Sequence, residues 1–330
     1  MRTLFIGSTR RGFLALKNLL ESGVEVVGIL SLEQDSHEQE RYEEPIRLLA
    51  QSRSIPIRET KFFGESDFTV WKDLQAQVAF VVGARVLLPE EFYSAFPKGC
   101  WAVHDSLLPE YRGFAPLNWA ILNDEGETGV TVFQVSEKMD GGDILLQRRI
   151  PIGADETAPQ LYGRVCESTN EVVLEAYKLL SQGRGSPRAQ EYRAGSFTAS
   201  RTPADGLIDW AQTTRQIYNL IRALTFPYPG AFTFLQGRRL FVLSAKPKPE
   251  APRYAGRIPG RVVQIHPGVG VDVLTGDGVL RIIEVSTDGA SRLNAASLIR
   301  SVRVRLGLDI ADLATRLARL EEQVGRRADQ

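Results

Sequence analysis

Cys100-Trp101-Ala102-Val103-His104-Asp105-Ser106-Leu107-Leu108-Pro109-Glu110-Tyr111-Arg112-Gly113-Phe114-Ala115-Pro116 opens with a short apolar run and stops abruptly on polar residues. Pro109, Gly113 and Pro116 punctuate its tail and forbid a continuous helix. The stretch reads as a buried strand ending at His104, followed by a shaped loop. Open α/β sheets bind their ligands at the carboxyl ends of strands. Of three histidines in the chain, His104 is the one at such a strand end. It is therefore the first candidate for proton transfer near neutral pH. Alone, a histidine in this place is more often structural than catalytic, so its neighbours decide.

Downstream, Gly129-Val130-Thr131-Val132-Phe133-Gln134-Val135 reads as a strand, and a glycine-bearing turn follows at Met139-Asp140-Gly141-Gly142-Asp143-Ile144. Such a turn can aim a carboxylate at a neighbour. Asp140 beside His104 would hold the imidazole and raise its pKa, because an opposite charge favours the protonated form. One histidine with Asp105, Asp140 and Asp143 makes no recognised ligand spacing, so no metal is expected.

Upstream, residues 2–7 form a first strand, Gly7 to Gly12 turn into a helix reaching Leu20, and Val24 to Leu30 form a second strand. This β-α-β opening predicts a doubly wound sheet. The full Gly-x-Gly-x-x-Gly is absent, which argues against a dinucleotide site. Helices are expected at Pro45 to Ser52, Ser66 to Gln75, Ala115 to Asn123 and Ala158 to Leu180, with a short strand at Ile55 to Arg58. The apolar run Val78 to Gly83 is typical of a central parallel strand. After Gly183-Arg184-Gly185-Ser186-Pro187 a second unit begins near Arg201. It has a helix at Thr213 to Leu224 and short strands with glycine turns through Val285, the pattern of a small β-barrel. In the tail, Leu313, Leu317, Leu320 and Val324 recur at helical spacing. That stripe could pair with a second copy or pack on its own domain.

His104-Asp105-Ser106-Leu107-Leu108-Pro109-Glu110-Tyr111-Arg112-Gly113-Phe114-Ala115-Pro116, then Glu127-Thr128-Gly129-Val130-Thr131, then Met139 to Ile144 resemble the formyltransferases that use 10-formyltetrahydrofolate. The resemblance continues through Arg201 to Trp210 and Pro227 to Phe232, covering about residues 1–300. The domain of the polymyxin-resistance enzyme that formylates UDP-4-amino-4-deoxy-L-arabinose looks most similar; methionyl-tRNA formyltransferases look more distant. The resemblance implies a Rossmann-like, mostly parallel α/β catalytic domain at 1–186, a linker at 187–200, an open barrel of oligonucleotide-binding type at 201–305 and a terminal helix at 306–330. It also implies a catalytic trio of Asn-x-His and a distant Asp, matched by His104 and Asp140 but with Ala102 at the Asn position. Folate contacts are implied for Val86, Leu87, Leu88, Ser106, Phe114, Ser136, Glu137, Lys138, Met139 and Asp140. Acceptor contacts are implied for Tyr111, Arg112, Arg201, Asn219 and Arg222, whose bland alternatives are capping and ion pairing.

Formyl transfer to an amine needs a base, donors for the developing oxyanion, and protonation of the leaving folate nitrogen. Ala102 has no side-chain donor. Either Ser106, Asn118 or a backbone N–H near His104 replaces it, or the chain is a disabled variant, or it binds folate and a nucleotide sugar without turnover.

At 330 residues the chain can hold two domains. Its 43% hydrophobic and 24% charged content describe an ordinary globular protein. No apolar run approaches the roughly 20 residues needed to span a bilayer. No leader is apparent, and two cysteines in apolar surroundings make no disulfide framework, so a reducing cytoplasm is expected. Residues 1–200 carry a charge balance of −7 and residues 201–330 one of +7. The acidic stretch 32–44 lies where transfer-RNA-specific members typically carry a basic loop, and it would repel RNA. The expected acceptor is therefore a small anion, a nucleotide-linked amino sugar, rather than a nucleic acid.

Overall fold

In a computed structural model of the chain, residues 1–34, 40–61, 73–84, 87–191, 193–308, 313–315 and 317–321 are described. The chain divides into two compact units, Met1–Ala120 with Glu125–Arg201, and Ile121–Asp124 with Thr202–Gln330.

The first unit runs β1 (Thr3–Gly7), α1 (Arg10–Glu21), β2 (Val26–Leu32), α2 (Glu43–Ser52), β3 (Ile57–Thr60), β4 (Val78–Val82), α3 (Glu90–Tyr93), β5 (Cys100–His104), β6 (Arg112–Gly113), α4 (Pro116–Leu122), β7 (Glu127–Gln134), β8 (Ile144–Pro151), α5 (Ala158–Ser181) and β9 (Phe197–Thr198). Seven strands form one sheet in the order β3-β2-β1-β4-β5-β7-β8. The first five are parallel, while β7 and β8 join antiparallel. This is the doubly wound, Rossmann-like α/β class expected. All five residues of β4 are buried, which is why that run is continuously apolar. Helix α1 buries Gly12, Ala15, Leu16, Leu19 and Leu20, one face of a 3.6-residue period.

Gly7 and Gly12 have a packing reason. A Cβ on either would meet the Val82 carbonyl oxygen, at 2.5 and 2.7 Å, so the turn between β1 and α1 can approach β4 only without side chains. Two strand boundaries fall two residues later than expected. The Val24 N–H bonds the Leu19 carbonyl and the Ile55 N–H bonds that of Ala50, so both apolar residues finish helix ends instead of opening strands. Most of the helix expected at Ser66–Gln75 lies outside the described residues, as does Val86.

The second unit carries α6 (Thr214–Ala223), β10 (Ala231–Leu235), β11 (Arg238–Pro247), β12 (Val262–His266), β13 (Gly270–Leu274), β14 (Val279–Ser286), β15 (Leu293–Asn294) and α7 (Ala295–Leu298). Its six strands form an antiparallel sheet, β10-β11-β14-β13-β12 with β15 beside β14. Thr213 and Gln216 cap α6 reciprocally. That helix lays Ile217, Leu220 and Ile221 into a core with Val242, Val271, Val273, Leu280 and Ile282. In the tail, Leu313, Leu317 and Leu320 are exposed, and Val324 lies outside the described residues.

Candidate active site

Strand β5 is central, paired with β4 on one side and β7 on the other, and His104 is its last residue. The loop after it is fixed from several directions. Ser106 Oγ donates to the Glu110 carbonyl at 2.6 Å, and Thr131 Oγ1 donates to that of Ser106 at 2.6 Å. Gln147 Nε2 donates to the Leu108 carbonyl at 2.7 Å. Tyr111 sits at φ 59°, a left-handed conformation that a tyrosine keeps only under constraint. The result is that its carbonyl faces the imidazole, 2.7 Å from His104 Nε2.

That contact fixes the tautomer. A carbonyl can only accept, so Nε2 carries the hydrogen and Nδ1 is the nitrogen left to take a proton. Nδ1 stands 3.6 Å from Asp140 Oδ2. The two groups, 36 positions apart in sequence, meet at the edge of the sheet.

Asp140 is aimed by its turn. It too is left-handed, at φ 48°, and its Oδ2 accepts the Gly113 N–H at 2.8 Å. Gly142 must be glycine, because a Cβ there would lie 1.7 Å from the Gln134 carbonyl oxygen. Gln190 Nε2 clamps the turn by donating to the carbonyls of Asp140 (2.9 Å) and Gly142 (2.6 Å).

Sequence reasoning missed Gln190. It lies in the segment 187–200 read as linker, where no periodicity or motif marks it. In the structure that segment packs on the first unit, with Arg188 bridging Ile144 and β9 pairing with β6.

The expectation of a raised His104 pKa is corrected. Burial, which disfavours the imidazolium, is the largest influence and pushes the value below that of an ordinary histidine. Asp140 and the Tyr111 carbonyl pull upward, and the guanidinium groups of Arg11 and Arg112 push down again. Since only 8% of His104 is exposed, burial wins. The site thus holds a neutral imidazole with Nδ1 free to act as a base.

Ala102, two residues before His104 on β5, packs beside Val81 and Cys100 and offers no polar atom. Ser106 has its hydrogen committed to Glu110, and Asn118 is buried. Phe114 and Met139, next in sequence to Gly113 and Asp140, are exposed at 50% and 42%, and Leu87, in the loop after β4, at 83%. Leu88 is half-buried; Ser136 bonds within its own turn, where Glu137 and Lys138 are exposed.

The expected acceptor contacts fall in different surroundings. Tyr111 donates its hydroxyl to Glu125 at 2.6 Å. Arg112 is fully buried, donating to Gln190 Oε1 at 2.8 Å with its guanidinium 5.5 Å from the Phe197 ring. Arg201 lies over the Trp119 ring at 4.8 Å. In the second unit Arg222 Nε donates to Asn219 Oδ1 at 2.9 Å, with Nη2 3.6 Å from Asp124, and both Arg222 and Asn219 are buried. Among the described residues, no cluster of three or more His, Cys, Asp or Glu could hold a metal.

Comparison with known proteins gives two family matches, Formyl transferase over residues 1–177 and Formyl transferase, C-terminal domain, over residues 201–303. Methionyl-tRNA formyltransferase of Citrifermentans bemidjiense is 31% identical over 310 residues, covering 93% of this chain and 95% of that one. The enzyme of the same name from Sorangium cellulosum is 34% identical over 313 residues, covering 93% and 99%. Among solved structures, an N-formyltransferase from Helicobacter canadensis with folinic acid and dTDP-3-aminofucose shares the fold at TM-score 0.65 and 16% identity, covering 85% and 98%. HypX from Aquifex aeolicus with tetrahydrofolic acid matches at TM-score 0.58 and 21% identity; it covers 90% of this chain, which spans 46% of HypX.

These matches overturn the amino-sugar acceptor and the argument against nucleic acid. The full-length relatives at 30–34% identity are methionyl-tRNA formyltransferases, and the sugar enzyme is alike in fold only. The charge argument counted acidic letters without their partners, and Glu43 shows what that misses. Within the acidic stretch, Glu43 accepts the Gln34 N–H at 2.9 Å and pairs with Arg41 at 3.0 Å, so its charge is partly spent inside the protein. Gln34 is itself buried and bonds the chain at Glu40 and Tyr42. Asp35 and Glu38, which the expectation also counted, lie outside the described residues.

Proposed function

The chain belongs to the formyl transferase family, and on that premise we propose that it formylates the amino group of methionyl-tRNA. Likeness to methionyl-tRNA formyltransferases across 93% of the chain and both family domains carries this reading. No helix among the described residues is long and apolar enough to cross a membrane, and a cytoplasmic place suits such a substrate.

The chain is an N-formyltransferase, and formyl-tetrahydrofolate, when bound, supplies an activated one-carbon group. Leu87, Phe114 and Met139 offer exposed apolar surface for it. His104 does the proton work. The attacking amine must lose a proton as its nitrogen bonds the formyl carbon, and Nδ1, neutral and facing the site, accepts it. The imidazolium so formed is held by Asp140 at one nitrogen and by the Tyr111 carbonyl at the other. It can then return the proton to the departing nitrogen. With Ala102 in β5, no side-chain amide from that position meets the developing oxyanion.

The test is direct. Purified protein, 10-formyltetrahydrofolate and charged initiator tRNA should yield formylmethionyl-tRNA, resolved by acid gel or by mass after mild hydrolysis. Absence of product from methionyl-tRNA, alongside turnover of a UDP-amino sugar under the same conditions, rejects the reading.

A further inference from the structure

Directly after His104, the carboxylate of Asp105 forms an ion pair with Arg11 from the first turn of α1. The two side chains are only 11% and 14% exposed. The backbone of Asp105 is tied as well, its carbonyl accepting from Thr128 Oγ1 at 3.4 Å. An ion pair with so little water around it contributes little net stability, since desolvation offsets most of the attraction. Apolar residues of similar volume would join α1 to the end of β5 at least as well. The pair's place, one peptide from the imidazole that the proposed reaction uses, points to another role.

We propose that Arg11 and Asp105 are positioning residues for His104: their contact pins the end of β5, and their opposite charges act against each other at Nδ1. The inference rests on His104 being the base of the proposed reaction. The charged groups facing His104 are Asp140 from the turn between β7 and β8, Arg11 from α1 and Arg112 from β6, with Asp105 as its chain neighbour. Asp140 is opposed by Arg112. Arg11 would leave an excess of positive field around the imidazole were Asp105 not beside it. With the pair intact, burial, helped by Arg11 and Arg112, outweighs the upward pull of Asp140 and the Tyr111 carbonyl, and the base stays neutral near pH 7.

Two single substitutions then push in opposite directions. Arg11→Gln leaves the Asp105 carboxylate unopposed, which favours imidazolium. Asp105→Asn leaves the guanidinium unopposed, which disfavours it. With three histidines in the chain, the His104 ring signals can be assigned by substitution and followed by NMR against pH without any substrate. The expected result is a His104 midpoint raised by on the order of one pH unit in Arg11→Gln, lowered by a similar amount in Asp105→Asn, and between the two in the double variant. Arg11→Lys keeps the charge and should keep the midpoint. Should Arg11→Gln fail to fold, Arg11→Met fills the same space and reads the same shift. Midpoints that move together or stay put in both single variants overturn the inference, as does Arg11→Lys behaving like Arg11→Gln. A failure of the methionyl-tRNA reading looks different: the unsubstituted protein would not formylate methionyl-tRNA while these titrations stood.

Discussion

Among the described residues there are two histidine–aspartate pairs, and their surroundings differ. In the first unit His104 Nδ1 lies 3.6 Å from Asp140, whose carboxylate is held by one backbone N–H and by no guanidinium. In the second unit His266 Nε2 lies 2.9 Å from Asp272, but Arg281 already grips that carboxylate at 2.6 and 2.9 Å. Arg281 also comes within 2.8 Å of His266 Nε2. Asp272 is buried and held below the ordinary carboxylate range by hydrogen bonds from Arg281 and His266, even though burial acts against this. Its charge is spent. Asp140 keeps a charge in reserve for an imidazolium that exists only during the reaction. The closer pair is a cross-strand brace, and the looser pair is the one the proposed reaction uses.

The sharpest way to break this comparison is to remove each imidazole in turn. His104→Gln should lower kcat by roughly 10²–10⁴-fold, the usual worth of a positioned general base. His266→Gln should leave the rate within about twofold, as expected of a change outside the reacting groups. A formylation assay on both variants decides it, and equal losses would mean that distance to a carboxylate is no guide here.

A second test works in the gaining direction. Ala102→Asn places an amide two residues before His104 on the same strand. Restoring one oxyanion donor should raise kcat by up to roughly 10²-fold, at the lower end of what losing such a donor costs elsewhere. An unchanged or lower rate would show that backbone donors already fill that position.

Much of the first unit could be read in the letters because its signals are local. The apolar run Val78–Val82 and the stop at His104 each announce a strand and its end, and β4 and β5 lie side by side in the sheet. Asp140 was legible through its glycine turn. What could not be read depends on contacts between distant segments. Gln190 clamps Asp140 from 50 residues away, Arg11 meets Asp105 from 94 positions upstream, and neither carries a motif. The direction of the His104 shift was missed for a related reason: a neighbouring carboxylate can be guessed from sequence, whereas the extent of burial belongs to the packed fold. Charge counted along the chain also misses local pairing, as of Glu43 with Arg41.

The two aspartates sharpen the contrast further. Arg281→Gln leaves a buried carboxylate without its main partner and should destabilise the protein by on the order of 3 kcal/mol in a urea melt. The rate per folded molecule should be unchanged. Asp140→Asn should do the reverse, lowering the rate with little change in the melt, because its side chain is 20% exposed and keeps an acceptor for Gly113. If Asp140→Asn costs as much stability as Arg281→Gln, both pairs are structural.

The smallest effect is a displacement along the pH axis. A base works only unprotonated, so kcat/KM should fall as pH drops through the His104 value, and burial places that value below the ordinary histidine range. The acid limb should therefore lie below about pH 6.5. Removing the Asp140 charge takes away an upward influence, so the limb of Asp140→Asn should move to still lower pH even as its plateau falls. The same shift has a stability consequence of fixed sign. The unfolded chain takes its proton at the ordinary value before the native one does, so the contribution of neutral His104 is present above about pH 6.5 and lost progressively below it. His266, braced by Asp272 and Arg281, should leave the activity profile unmoved when replaced. A limb that follows His266→Gln instead would place the working proton in the wrong unit.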